Sequence, residues 1–542
     1  MQKALRPAFF SSLLLLAAYL RIAGLAWGLT SGYGHYQNFQ PDEFLSLRGV
    51  LQVDLLAGDI KAPAAYFEGT FNYYLWAIPK AALKLLSDMG LMSAASAKIE
   101  TESHAHLLYI CRWMSVLLDL GTVIIVFLAI AEVTQSFYPS LVGAFVYAVL
   151  PMEVIYAHYM RPHVLSNLLC ALVLWLSVKV RKSRKSWLFS ILGILSGLGA
   201  ATRFPLGVIV AIPCLFIIFT PSEDSSLGIR RLWQSLRYLL SGPVWLIVLG
   251  FVCGLFLGHP MLFLDTRNVI AVVSSSTLKW VPRSEFALTR LLDLSTLWKY
   301  LSYLIPYGMY PLLWIVCYCA IIYLVFRPRL RGITFPILIF SLLYLYPMAK
   351  AYTGPYWARA AMPLFPGLCI LVGLAFSDLS LLLRKQRTVA VLLSSAFFLL
   401  VGPSIVFDLV YVHAMQERDA RSALRDDLKT LIGESPAIIG VSRSGPYFYT
   451  ATPAAEPLQS DKVIVQLQDS WQKADFFLVG YIGPTDPEWL NATIRAVEVQ
   501  GRFKYQKGYS VRPKLFGREL RLARFPPDMT YPFPTVLLFR SN

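Results

Sequence analysis

Asp42 and Glu43 stand side by side in the string Gln40-Pro41-Asp42-Glu43-Phe44, just after the first long apolar run of the chain. Carboxylates are costly to desolvate, so an acid pair beside a bilayer persists where water, a cation or a reacting group can reach it. A carboxylate in such a place could take the proton of an attacking hydroxyl. A third acid, Glu68 in Tyr66-Phe67-Glu68-Gly69, would return towards the pair along the same loop. The competing structural role for Asp42 is a helix cap, because Pro-Asp before an apolar run is a common helix start. At this level both readings stand.

The elements that must position these acids follow from composition. Hydrophobic residues make up 56% and charged residues 15% of 542 positions. These proportions describe a polytopic α-helical membrane protein and exclude a large soluble one. The net charge of +17 comes from short basic clusters between apolar runs, which act as topology signals and not as a nucleic-acid surface. The run Phe9 to Trp27 is long enough to span and no small-residue cleavage site follows it, so it reads as a retained helix and not a signal peptide.

Apolar stretches predict about eleven spans, near 8–28, 107–131, 138–157, 163–180, 187–202, 204–220, 238–258, 298–326, 332–349, 360–380 and 388–410. With Lys3 and Arg6 inside, the alternation puts four dense clusters on the inner side. They are Arg181-Lys182 with Arg184-Lys185, Arg230-Arg231 with Arg237, Arg327/Arg329/Arg331, and Arg384-Lys385 with Arg387. The loop 29–106, the loop 259–297 and the tail then fall outside the cytoplasm. The seven histidines lie on or near that outer face, and the seven cysteines lie in spans, where a buried hydrophobic role is expected. No zinc-type Cys/His spacing occurs. Within the first loop, the segment 66–79 has an aromatic and aliphatic pattern suited to short helices along the membrane surface.

The chain divides into a membrane domain over 1–410 and an extracytoplasmic domain over 411–542. The second is richer in charge and carries β-like runs at 437–441, 462–467 and 474–481, then a helical stretch from Pro487 with Trp489 and Ile494. It reads as a small α/β domain. Asn491-Ala492-Thr493 matches a glycan acceptor pattern that arises often by chance.

The succession of Pro-Asp-Glu at 41–43, Gly-Asp at 58–59 and Tyr-Phe-Glu-Gly at 66–69 resembles the first outer loop of bacterial aminoarabinose lipid A transferases. It is also similar to that of protein O-mannosyltransferases; both are membrane glycosyltransferases of the GT-C class. Further likenesses run in order: Arg112 in Cys-Arg-Trp-Met-Ser, the segment 148–169, the Gly-rich 193–205, Gly-His-Pro at 258–260, and Pro-Tyr-Trp-Ala-Arg at 355–359 with Pro363 and Pro366. The resemblance covers about residues 8–410. It departs where relatives often carry Lys-Pro after Phe-Glu, since this chain has Gly69-Thr70. His163 stands where many relatives have Asp, and Ala360 where they have Tyr.

The resemblance implies sugar transfer from a polyprenyl-phosphate donor to a lipid, glycan or protein hydroxyl at the outer face of a membrane, in all expectation a bacterial plasma membrane. Asp42 is then the candidate base, and Glu43 and Glu68 orient substrate; Asp42 and Glu43 could also hold a divalent metal ion. Arg359, Lys350, Arg203, Arg161 and His163 lie near outer helix ends and could surround the donor phosphate, where Arg offers paired donors to oxygen. The structural alternative for each cation is an anchor that snorkels to lipid phosphates; for Arg21 and Arg112 it is helix packing. Two other classes compete: a flippase for polyprenyl-linked glycans, which would place ionisable groups mid-membrane in broken helices, and a non-catalytic scaffold of envelope assembly, which would not need the acid pair.

The topology has a direct check. Single cysteines replacing Ile60 and Thr450 should react with an impermeant thiol reagent in intact cells or spheroplasts, and one replacing Arg329 should not. Labelling in the reverse sense contradicts the orientation.

Overall fold

The structure is a computed structural model of the full chain. It describes residues 2–29, 39–40, 42–91, 105–183, 185–219, 242–278, 294–351, 357–442, 455, 458–468, 474–482, 487–515, 518–519 and 525–542. The chain forms two compact units, one of residues 1–22, 45–92 and 110–406, the other of residues 23–44, 93–109 and 407–542.

The first unit is helical and apolar. Five helical stretches are long and apolar enough to cross a membrane, or up to seven if two bent pairs each count as one span. Three shorter apolar helices lie over 186–202, 204–218 and 242–258. An integral membrane protein follows from these lengths.

Its principal elements are α1 (Gln2–Ile22), α2 (Glu43–Gln52), α3 (Phe71–Asp88), α4 (Ala105–Thr134), α5 (Phe137–Ala148), α6 (Pro151–Ala157), α7 (His163–Ser183), α8 (Ser186–Thr202), α9 (Ala211–Ile218) and α10 (Gly242–Gly258). Then come α11 (Thr266–Leu278), α12 (Ser295–Met309), α13 (Pro311–Val325), α14 (Arg331–Ala351), α15 (Phe365–Leu382) and α16 (Arg387–Gln416).

Two stretches that read as continuous spans are bent. α5 and α6 meet at 62°, and α12 and α13 meet at 116°. Proline explains both breaks: Pro151 and Pro311 open the second helix of each pair, where the missing N–H is tolerated, but neither can continue the helix before it. At the sharper bend Tyr310 adopts φ +74°, a left-handed backbone that a helix interior does not allow. The first helix also ends earlier than its hydropathy suggests, at Ile22, with turns over 23–28.

Glycine stripes bring α8 and α10 into backbone contact. A Cβ on Gly193 would strike the Ile247 carbonyl, one on Gly197 the Phe251 carbonyl, and one on Gly254 the Ile194 carbonyl. Such an approach maximises dispersion contact where lipid gives no hydrophobic drive. At the far end of the pair, Gly258 lies against Ala201, so the end of α8 is fixed in place.

A buried polar network ties α1, α4, α5, α6 and α7. Arg21 Nε donates to Asp119, and its Nη1 donates to the Ala148 carbonyl at 2.9 Å. The Tyr147 hydroxyl lies 2.8 Å from Asp119 and 2.8 Å from Glu153, and Asn167 donates to Glu153 at 2.6 Å. Arg21 thus packs helices together, and Asp119 and one Glu153 oxygen find partners inside the bundle.

All seven cysteines are free. Cys111, Cys170, Cys317 and Cys369 are buried as expected, but Cys253 and Cys319 are exposed on helix surfaces and Cys214 is half-buried. Hydropathy gives no sign of which face of a span a small apolar residue takes, because lipid-facing and core-facing positions are equally apolar.

The second unit contains a five-stranded sheet built from β1 (Ala437–Ser442), β2 (Val463–Gln468), β3 (Phe476–Ile482), β4 (Phe503–Ser510) and β5 (Pro534–Ser541). The strand order is β2-β1-β3-β5-β4, with β1 parallel to β2 and β3, and β5 antiparallel to both its neighbours. The three sequence-predicted strands and the helix Pro487–Glu498 are all present. Phe477, Val497, Phe503, Leu537 and Phe539 form a core of this α/β domain.

The glycine contact is testable by unfolding purified protein in detergent. Gly254→Val should lower the thermal midpoint, because overpacking against backbone costs about 1–3 kcal/mol or more. Gly402→Ala, in a helix with open space around its Cα, should raise it slightly through helix propensity, by up to about 1 kcal/mol. An unchanged midpoint for Gly254→Val would refute the close helix approach.

Candidate functional site

Five of the residues singled out by type come together in the first unit. Their scaffold starts at the tight end of α8. Arg203 follows it in extended conformation, φ −150° and ψ 122°, and breaks the helix before Pro205. The Phe204 N–H donates to the Glu68 carbonyl at 3.2 Å, so the Glu68 turn is joined to the end of α8.

Gly69 makes that junction possible. Its φ is +127°, and a Cβ there would strike the Ala201 carbonyl. No L side chain fits, so a lysine at this position is sterically excluded in this fold. Thr70, next in sequence, donates through its hydroxyl to the Gly258 carbonyl at 2.7 Å and lies 3.0 Å from His259 Nδ1. Because that single hydroxyl hydrogen is used on Gly258, His259 Nδ1 carries the proton and donates to Thr70. Burial lowers the His259 imidazole to about 4, so it is neutral at neutral pH.

Glu68 is held from three sides. Arg161 Nη2 donates to one carboxylate oxygen at 2.6 Å, and the Tyr73 hydroxyl donates to the other at 3.0 Å. Arg161 is 4% exposed and Glu68 14%, so this ion pair is largely desolvated. Burial and the adjacent Glu68 carboxylate hold the Tyr73 phenol well above its ordinary range, which keeps it a donor. The Tyr73 ring rests on Gly49 of α2, where a Cβ would come within 2.5 Å of it. Arg161 Nη1 donates to Ser46 on the same helix at 2.9 Å. Lys80 of α3 closes the end of α2 by donating to the Leu51 and Val53 carbonyls at 3.0 and 2.9 Å.

The remaining cations gather around His163. Arg161, Arg203 and Arg359 all act electrostatically on its ring. The Tyr156 ring centroid lies 4.8 Å from that of His163, and the Tyr156 hydroxyl accepts from Arg359 Nη1 at 3.0 Å. Arg359 also lies over the Trp357 ring, 4.4 Å from its centroid. His163 is 1% exposed, and both its ring nitrogens are buried without a hydrogen-bond partner among the described residues. Arg203 is 8% exposed, and its Nη1 is in the same state. Unmatched buried donors on a guanidinium cost more than most folds tolerate. A cluster of this kind suits an anion with several oxygens, such as a phosphate.

Asp42 and Glu43 belong to the second unit. Glu43 opens α2 and is fully buried, while Asp42, just before it, is partly exposed. The Glu43 N–H donates to the Gln40 side-chain oxygen at 2.6 Å and to the Gln40 carbonyl at 3.1 Å. Gln40 therefore serves the first N–H of the helix. The Lys350 side chain lies outside the described residues, although its backbone closes α14. Among the described residues no three His, Cys, Asp or Glu side chains converge to hold a metal ion. The acid pair alone offers two carboxylates, one of them fully buried, which is a poor donor set for a hard divalent cation that takes six or more oxygens.

Tyr156, Tyr73 and Ser46 were not anticipated. Tyr156 sits in an apolar run without periodic signal, and Ser46 is one small residue in a mixed helix; only their contacts reveal them.

No family model matches the sequence, and no curated protein matches it. Comparison with solved structures finds three informative likenesses. One is the archaeal oligosaccharyltransferase AglB of Archaeoglobus fulgidus, in complex with an inhibitory peptide and a dolichol-phosphate, at 12% identity and TM-score 0.48, covering 88% of this chain and 69% of that one. Another is ArnT of Cupriavidus metallidurans bound to undecaprenyl phosphate, at 12% identity and TM-score 0.46, covering 98% of this chain and 97% of that one. The Archaeoglobus fulgidus oligosaccharyltransferase complexed with zinc and sulfate has 13% identity and TM-score 0.47, covering 82% of this chain and 61% of that one. At these values the functional reading rests on the site itself.

Proposed function

We propose that the protein is a membrane glycosyltransferase that moves a sugar from a polyprenyl-phosphate carrier to a hydroxyl of a lipid, glycan or protein acceptor at the outer face of the membrane. The observation that carries this reading is the set of buried polar atoms, Arg203 Nη1 and both His163 ring nitrogens, that have no partner among the described residues, with Arg359 held beside His163 through Tyr156.

The chemistry makes two demands. As the acceptor oxygen forms a bond to the anomeric carbon, the bond from that carbon to the donor phosphate breaks and the phosphate gains negative charge. Cations already in place stabilise that charge without reorganisation. Arg203 and Arg359 supply fixed guanidinium donors, and Arg161 adds its charge while held by Glu68 and Ser46. The second demand is removal of the hydroxyl proton. Asp42 is the proposed base, on the strength of its type and its partial exposure. Glu43 and Glu68 act in orientation, Glu68 by fixing Arg161. Lys350 is the proposed fourth cation.

The test is transfer from radiolabelled polyprenyl-phosphate sugars to candidate acceptors by purified protein. Asp42→Asn should lower turnover at least about a hundredfold with donor affinity unchanged. Arg203→Ala should weaken donor affinity about tenfold to a hundredfold, the range expected for charge-assisted hydrogen bonds of about 1.5–3 kcal/mol. Arg359→Lys should recover only part of what Arg359→Ala loses, since Lys lacks the paired fork. Full turnover in Asp42→Asn removes it as base, and unchanged donor affinity in Arg203→Ala and Arg359→Ala together removes the phosphate site.

A further inference from the structure

Arg421, in the helix Ala420–Ile432 (α17), is 2% exposed. Its guanidinium donates to both carboxylate oxygens of Asp419, from Nε at 2.8 Å and from Nη2 at 2.7 Å. The third edge, Nη1, donates to the Phe39 carbonyl at 3.1 Å, across 382 positions of sequence. The cation also lies 3.9 Å from the Phe39 ring centroid and 5.3 Å from that of Trp27. The two rings are 5.3 Å apart and tilted, and both lie against the guanidinium.

Phe39 leads directly to the acids. Gln40, the next residue, is fully buried and takes the Glu43 N–H with both its side-chain and main-chain oxygens. The chain of contacts therefore runs from Arg421 to the Phe39 backbone, to Gln40, and to the first turn of α2, with Asp42 between the last two. Nearby, Gly24 has φ +89°, and a Cβ there would lie 2.6 Å from the Met415 Cβ, which fixes the turn after α1 against the end of α16.

A buried ion pair is a poor device for stability alone, because desolvation offsets much of its Coulomb gain and apolar residues of similar volume serve as well. Its strength is directional. A guanidinium held by both Asp419 oxygens has its remaining donors fixed in direction: Nη1 aims at the Phe39 carbonyl, while Nη2 also reaches the Tyr531 carbonyl at 3.5 Å.

We propose that Arg421 is a positioning residue: through Phe39 and Gln40 it sets the placement of Asp42 and Glu43, so that the C-terminal domain holds the catalytic acid segment. This rests on the reading of Asp42 as base. Misplacement of a reacting group by about 1 Å costs about a hundredfold in rate, so a loosened clamp should reduce kcat and leave donor binding, which depends on other residues, intact.

The experiment uses the full-length protein and two readouts. Hydrogen exchange of the peptide spanning Gln40 to Ser46 reports the clamp whether or not a donor sugar is known. In Arg421→Met, an apolar replacement of similar reach, the Glu43 amide should exchange at least about tenfold faster, with the sheet strands unchanged. Arg421→Lys should fall between it and the native protein. In the transfer assay, Arg421→Met should lower kcat at least about tenfold, with polyprenyl-phosphate affinity within about twofold of native. If Arg421→Met fails to fold, Phe39→Leu, which removes one enclosing ring, should give the same pattern more weakly. Native exchange at Glu43 in these variants overturns the clamp. Fast exchange with undiminished kcat overturns its role in catalysis. Loss of exchange protection in a protein that transfers no sugar from any donor would instead overturn the proposed function and leave the clamp in place.

Discussion

The cationic site depends on one backbone conformation, the left-handed turn at Gly69 against the carbonyl of Ala201. Because no side chain intervenes, the Glu68 carbonyl reaches the Phe204 N–H, and Glu68 is carried to Arg161. Arg203, between the end of α8 and Phe204, is fixed by the same contact. Glycines at 193, 197, 250 and 254 extend the principle along the membrane, since they let α8 and α10 share one backbone surface that ends at Gly258. The turn and the helix pair together form a rigid base, and rigid placement is what a preorganised electrostatic site requires.

The absence of lysine after Phe-Glu acquires a physical meaning in this frame. The family that the first outer loop resembles often carries a lysine there. Here the backbone has closed on the space a lysine would need, and Arg203 stands at the same junction. His163 makes a parallel point. Its ring is packed on Tyr156, and neither ring nitrogen has a partner among the described residues.

Much of this was legible in the sequence, and the exceptions have reasons. Glu68 stands out in the first outer loop, and Arg161, Arg203, His163 and Arg359 stand out near predicted outer helix ends. What the sequence could not express was their pairing. Arg161 meets Glu68 across 93 positions and Ser46 across 115, and no local pattern encodes such contacts. The strands at 437–442, 463–468 and 476–482 were readable as short β-branched runs, whereas Phe503–Ser510 was not, because Lys504, Gln506 and Lys507 interrupt it. The bends at Leu150-Pro151 and Tyr310-Pro311 escaped the hydropathy scan, which registers how apolar a stretch is but not whether its backbone continues. Arg421 was invisible for another reason: a basic residue in a charged tail looks solvated until its aromatic enclosure is seen.

The central claim is that this cluster recognises a phosphate and not merely an apolar tail. Equilibrium binding of polyprenyl phosphate and of the uncharged polyprenol to the purified protein separates the two most directly. The account predicts at least about tenfold tighter binding of the phosphate, a margin that corresponds to about 1.4 kcal/mol. In Arg203→Ala that margin should shrink while polyprenol binding stays the same. Equal affinity for the two lipids in the native protein would contradict the account.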